Sequence, residues 1–273
     1  GYALQLNTDT NDFEFSSNRV LYDSNSNAAI CLTNGPQNRI KIENNNFESS
    51  KNSNQSAIAI NGDKTDLSIS KNNIHINLGL ATKNVHAIEF SSGSNQSYEN
   101  ILIANNNIEL TKGEEAIYFH TNNAGRNKLD GGRIISNNIK VSDGSPAIYI
   151  SDEISGLTIN QNKIDKITDN FLSNDVAGIS IDTKSLENLF ISQNQLTEFD
   201  GGIFIKASSS GIAFTINDNI INHSGGVSTA PTGLTLKGIF EKIRILNTTC
   251  SGYAACLNLA GASIGSNVVE GTL

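Results

Sequence analysis

Tryptophan and methionine are absent from this 273-residue chain, proline occurs three times, and charged side chains make up only 17%. Each shortage narrows what the chain can be. No run of 18 apolar residues occurs, which excludes a membrane-spanning helix. Basic residues are outnumbered, with a net charge of −8 and a pI near 5.0, so the basic stripe that nucleic acid demands is missing. The three cysteines, Cys31, Cys250 and Cys256, have no metal-ligand spacing. Cys250 and Cys256 can pair in an exported protein, or simply fill small buried positions. No segment carries a 3.6-residue apolar period, so helices are not expected. No signal peptide is visible. The chain opens without Met, already inside the strand pattern Tyr2-Ala3-Leu4-Gln5-Leu6, and is expected to be a single domain cut from a longer protein.

What is present is a repeat. Hydrophobic residues make up 37% of the chain and recur at fixed places, which separates it from disordered, polar-rich sequences. One frame returns throughout: apolar, two spacers, Asn, one spacer, apolar. Its Asn slots are Asn18, Asn45, Asn72, Asn106, Asn137, Asn162, Asn194, Asn219 and Asn267, with Thr248 in one slot. The mean spacing is about 28 residues, within the range of solenoid repeats. A second frame (small, apolar, any, apolar) precedes each slot, as in Ala57-Ile58-Ala59-Ile60, Ala116-Ile117-Tyr118-Phe119 and Gly202-Ile203-Phe204-Ile205. Alternation with period 2 means half-buried strands. Strands this short cannot bury an apolar face alone, but coils stacked about 4.8 Å apart can. Asn tolerates left-handed backbone and bonds neighbouring main chain, so the slots predict a stacked Asn corner.

These frames define an all-β chain, a right-handed parallel β-helix of about ten coils with three short strands each. The chain resembles the pectate-lyase-like β-helix superfamily, whose coils carry a short Asn-containing second turn; the likeness covers nearly all 273 residues. It implies that the small-apolar-any-apolar strand is the first of each coil, and that a substrate groove runs along its sheet. Fold likeness alone does not assign an activity.

The outward positions of that first strand form two columns. One reads Gln5, Cys31, Ala59, Glu89, Tyr118, Tyr149, Ser180, Phe204, Thr235, Asn258. The other includes Ser91, His120, Ser151, Asp182, Lys206 and Lys237. Both are bland at their ends and loaded in the middle. Aromatic rings interleaved with ionisable groups suit a polysaccharide, since rings stack on sugar faces and charges handle carboxylates or protons.

Three chemistries are open there. Glycoside hydrolysis needs two carboxylates roughly 5 to 9.5 Å apart. Asp152 or Glu153 is about one coil from Asp182, whereas Glu89 and Asp182 are about 14 Å apart, too far to cooperate. The acids Asp152, Glu153 and Asp182 could instead hold Ca²⁺. Lyase or epimerase chemistry on a uronic acid needs a base, an acid and a cation. Tyr118 and His120 would supply the first two, with Tyr149 one coil away and Lys206 or Arg126 as the cation. No lyase or epimerase motif is intact, and the fragments Asn7-Thr8-Asp9 and Arg39-Ile40-Lys41 lack the elements a polygalacturonase places between them. The third reading is a non-catalytic adhesive or structural β-helix. The sequence-level expectation is a carbohydrate-active protein, extracellular, cell-surface or virion-borne. Likeness to phage tailspikes implies a homotrimer.

Overall fold

The computed structural model describes residues 3–22, 28–33, 35–49, 55–78, 85–92, 95–121, 127–142, 145–167, 176–224, 231–259 and 263–264. Arg126 and Asn267 lie outside the described residues.

The chain is an all-β parallel solenoid. The first strand of each coil pairs in parallel with its equivalents above and below, from Leu4–Leu6 through Ile30–Leu32, Ile58–Ile60, Ile88–Ser92, Ile117–Thr121 and Ile148–Ile150. The stack continues through Ala177–Thr183 and the opening parts of two long strands, Gly201–Asn217 and Thr232–Leu246, to Ala255–Asn258. Nine strands form the separate sheet that follows the Asn corner, one fewer than the ten coils the repeat predicts; the slot at Asn267 is not among the described residues. Inside, Ile58, Ile88, Ile117, Ile148 and Ile179 stack in register and are fully buried. Each such side chain contributes up to about 2–3 kcal/mol of burial, an upper bound because unfolded chains are already partly compact.

The Asn corner is a continuous hydrogen-bonded ladder. The Oδ1 of Asn106 accepts from the backbone N–H of Asn72 (3.0 Å) and from its Nδ2 (3.1 Å). The Nδ2 of Asn106 donates in turn to Asn137 Oδ1 (3.0 Å) and to the Ile69 carbonyl (2.9 Å). Both amide hydrogens and both oxygen lone pairs are therefore used, which is what a buried amide requires. Oδ1-accepting links of this kind run without a break from Asn18 to Asn219.

One detail differs from the sequence expectation. The left-handed residue is not the ladder Asn but the one before it: Ser17, Asn44, Lys71, Asn105, Ser136, Gln161, Gln193, Asp218 and Asn247, with φ between 47° and 60°. That residue's N–H bonds the neighbouring coil, as in Asn105 to the Ile135 carbonyl (3.1 Å) and Gln193 to the Asn217 carbonyl (3.0 Å). The helical twist of the backbone thus falls on a polar residue of any type, leaving the Asn side chain free to point inward.

A second left-handed column, at Asp12, Arg39, Asp66, Asn100, Gly131, Gly156 and Asn188, adds a further corner ahead of the strand that leads into the ladder. In the middle coils it separates a short extra strand, such as Lys128–Asp130 or Glu153–Ser155, from the strand that follows. At the start of the first strand space is so tight that only small residues fit. A Cβ on Gly202 would lie 2.3 Å from both the Gly233 carbonyl oxygen and Ile221 Cγ2.

Candidate functional site

The first-strand register places the outward columns where the sequence frames put them. Glu89 pairs with Tyr118, Tyr118 with Tyr149, Tyr149 with Ser180, and Ser180 with Phe204. In the second column Ser91 pairs with His120, and Asp182 with Lys206. Because parallel in-register stacking repeats every side chain one coil higher, rings on consecutive coils meet face to face.

Tyr118 is the centre of that cluster. Its ring is 5.6 Å from Tyr149 at 22°, and 5.3 Å from His120. On the preceding coil, His86 lies parallel to it at 4.1 Å and 3°. His120 Nδ1 is 2.8 Å from Ser151 Oγ, the next member of its column. Burial, with a smaller push from Glu115 and Tyr149, raises the Tyr118 phenol well above the ordinary tyrosine range. Burial likewise raises Tyr149, followed by the charge of Asp182. His120 moves the other way: burial lowers it, against an opposing pull from Glu115. Near neutral pH the cluster therefore holds a protonated phenol beside a neutral imidazole.

The acids are more dispersed than the aromatics. Asp182 Oδ2 accepts from Lys206 Nζ at 2.7 Å, so these two half-exposed groups satisfy each other. Glu89 turns back to the preceding coil, where Ser56 Oγ donates to its Oε2 at 2.5 Å. Asp152 is 2% exposed, at the turn after Ile148–Ile150, and its carbonyl accepts from Thr183 Oγ1 (2.6 Å). Glu153 belongs to the next strand, in register with Lys128. The structure thus brings Tyr118, His120 and Tyr149 together, sets Asp182 one coil and Lys206 two coils beyond Tyr149, and does not gather Asp152, Glu153 and Asp182 around one point. Phe204 is half-buried on the same face, two coils past Tyr149.

Two residues of this neighbourhood escaped the sequence reading. His86 and Glu115 both precede the small residue that opens a first strand, Ala87 and Ala116 respectively. That position forms its own column, and His86 Nδ1 lies 3.1 Å from Glu115 Oε2. The repeat spacing alone would have found them, had the column before the frame been read as well as those within it.

Open depressions occur on a different face, along the second left-handed corner. One of about 460 Å³ is lined by Asp12, Phe13, Glu14, Arg39, Lys41, Asp66 and Ser68; its neighbour, about 380 Å³, shares Asp66 and Ser68 and extends to Arg133. Arg39 grips Asp12 there with two hydrogen bonds, at 2.5 and 2.8 Å.

Cys250 and Cys256 form a disulfide, tying the last strand of the nine-stranded sheet to the first strand that follows. Cys31 is free and buried. No helix among the described residues is long and apolar enough to cross a membrane.

The fold and this surface define the chain as a parallel β-helix with an aromatic and ionisable outer face. No protein-family model matches the sequence, and no curated protein matches it.

Proposed function

We propose that this is a carbohydrate-active β-helix that binds and cleaves an extracellular polysaccharide along the outer face of its first-strand sheet. The observation that carries the reading is the continuous Tyr118–Tyr149 stack with His120 at its side. Rings stacked on one another at the coil spacing present a row of edges and hydroxyl groups to successive sugars, with Phe204 on the same face two coils past Tyr149. The likeness to pectate-lyase-like β-helices and phage tailspikes points to the same sheet, and carries with it a homotrimer on a cell surface or virion. The Cys250–Cys256 disulfide fits an oxidising, exported setting.

The proton chemistry favours elimination over two-carboxylate hydrolysis. Glu89 and Asp182 are three coils apart, about 14 Å, and each is already engaged by another group. In the lyase reading, neutral His120 removes the proton from the carbon beside a uronate carboxylate. The glycosidic carbon–oxygen bond breaks as the new double bond forms, and Tyr118 gives its proton to the departing oxygen. The carboxylate of that sugar needs a cation, and Arg126, outside the described residues, is the candidate. Lys206, held by Asp182 and three coils from His120, is left to bind the carboxylate of a neighbouring sugar. Ca²⁺ at Asp152 and Glu153 is not part of this reading, because those carboxylates do not converge with Asp182.

A second reading has its own support. With Asp182 bound to Lys206 and Glu89 bound to Ser56, the surface also suits an adhesin that binds a polysaccharide without cutting it.

Incubation with capsular and uronate polysaccharides, followed at the absorbance of unsaturated products, separates these outcomes. Cleavage should fall about 10²–10⁴-fold in His120→Ala and Tyr118→Phe. It should persist below imidazole's ordinary pKa of about 6.5 and fade only as pH drops through the lowered His120 value. New reducing ends without absorbance would turn the reading to hydrolysis, binding without cleavage to the adhesin. Full activity in His120→Ala, Tyr118→Phe and Asp182→Asn would remove this site altogether.

A further inference from the structure

We propose that His86, Glu114 and Glu115 form a site for a divalent first-row transition ion, of which Zn²⁺ is the probe of choice. The inference stands apart from the polysaccharide reading, since neither needs the other.

The three side chains each offer one ligand atom, and these atoms lie within 4.8 Å of one another. His86 is 2% exposed, and its Nδ1 is aimed at Glu115 Oε2, 3.1 Å away. Yet neither atom makes a hydrogen bond of usable geometry. Buried polar atoms are nearly always satisfied, and two facing one another unsatisfied call for a third partner. A cation drawing one lone pair from each is such a partner.

The surroundings are built rather than accidental. His86 and Glu115 stand in the same column on consecutive coils, so the β-stack itself sets their separation. The turn carrying the glutamates is laced to the histidine's segment by the Glu114 N–H bonding the Val85 carbonyl at 2.9 Å. The His86 backbone N–H donates to Ser56 Oγ (3.2 Å), and its ring is held flat against Tyr118. A metal-bound imidazole needs its ring plane fixed, and the parallel stack supplies that.

The donor set decides the class of ion. Calcium takes six to eight oxygen ligands, and Mg²⁺ also prefers oxygen and water. One imidazole nitrogen with two carboxylates suits Zn²⁺, and Mn²⁺ more weakly. Three protein ligands leave a coordination position for water or a ligand oxygen, beside Tyr118.

The test is Zn²⁺ titration of the full chain, stripped with chelator and free of any affinity tag, by calorimetry and by competition with a chromophoric chelator. The expected result is one Zn²⁺ per chain at micromolar affinity or tighter, undisturbed by millimolar Ca²⁺. His86→Ala, Glu114→Gln and Glu115→Gln should each weaken it at least 10-fold, while His75→Ala, at an exposed histidine on another face, should leave it intact. Glu114 is half-exposed, so Glu114→Gln keeps the fold if the buried substitutions do not; circular dichroism reports which variants are folded. No saturable Zn²⁺ binding, binding indifferent to Glu114→Gln in the folded protein, or Ca²⁺ binding as tightly as Zn²⁺ would each overturn the proposal.

Discussion

At the Asn corner coil after coil does the same thing, whereas on the outer face of the first strand the side chains change along the stack. Asn45, Asn72, Asn106, Asn137 and Asn162 repeat one set of bonds at nearly constant lengths. Over the same coils the outward column runs Ala59, Glu89, Tyr118, Tyr149, Ser180. The backbone is equally regular in both places, so the difference lies in what the side chains are asked to do. At the corner they replace main-chain bonding that the turn cannot make for itself, and only one residue type has two donors and two acceptors on so short a stem. On the outer face the main chain is already satisfied by its neighbours, and the side chains are free to serve something else.

Substitutions can break or sharpen this contrast. The largest effect should come from Asn106→Ala, which strands the Asn72 N–H and takes one bond each from Asn72 Nδ2, the Ile69 carbonyl and Asn137 Oδ1, all in the interior. A loss of about 4 kcal/mol is expected in denaturant unfolding. Gly202→Ala comes next, because its new methyl meets a neighbouring backbone oxygen and Ile221; about 2–3 kcal/mol should go, read as a lowered melting temperature. Thr248→Asn should have the opposite sign. It would extend the ladder by one coil past Asn219 and add about 1 kcal/mol of stability.

The smallest effect is the most telling. Asn107 stands directly after Asn106 and also lies in a line of amides, bonded to Asn73 at 2.7 Å and Asn138 at 2.8 Å. That line faces water. Asn107→Ala should change stability by no more than about 0.5 kcal/mol. Equal losses in the two neighbours would mean that ladder geometry, rather than burial, sets the energy.

The same contrast explains what could be read from the sequence. The Asn slots and the Ile positions around them were legible because burial and hydrogen bonding accept almost no alternatives there. Once those fixed the register, the column Glu89–Tyr118–Tyr149–Phe204 followed by counting. The second left-handed corner was not legible: Asp12, Arg39, Asp66, Asn100 and Gly131 share a backbone angle but no side-chain chemistry, so no residue type marks it. Nor were the pairings that retire Asp182 and Glu89. Which way a carboxylate swings depends on Lys206 and Ser56, 24 and 33 residues away. His86 and Glu115 were hidden for a simpler reason, since they stand one place outside the repeating frame.

The ladder also has an arrow. From Asn45 to Asn194 each ladder Asn turns its oxygen toward the coil before it and its nitrogen toward the coil after it. Each amide group carries a dipole of about 3.5 D, and here they line up head to tail along the solenoid axis. Such a row polarises itself, each member strengthening the next. One flank of this molecule is therefore an electrical rod, positive toward the end where Asn219 lies. The coil stacked beyond Asn219 carries Thr248 in the slot, whose hydroxyl turns to the Leu246 carbonyl of its own corner, so the rod stops there and the last coil is held by its main chain alone at this flank.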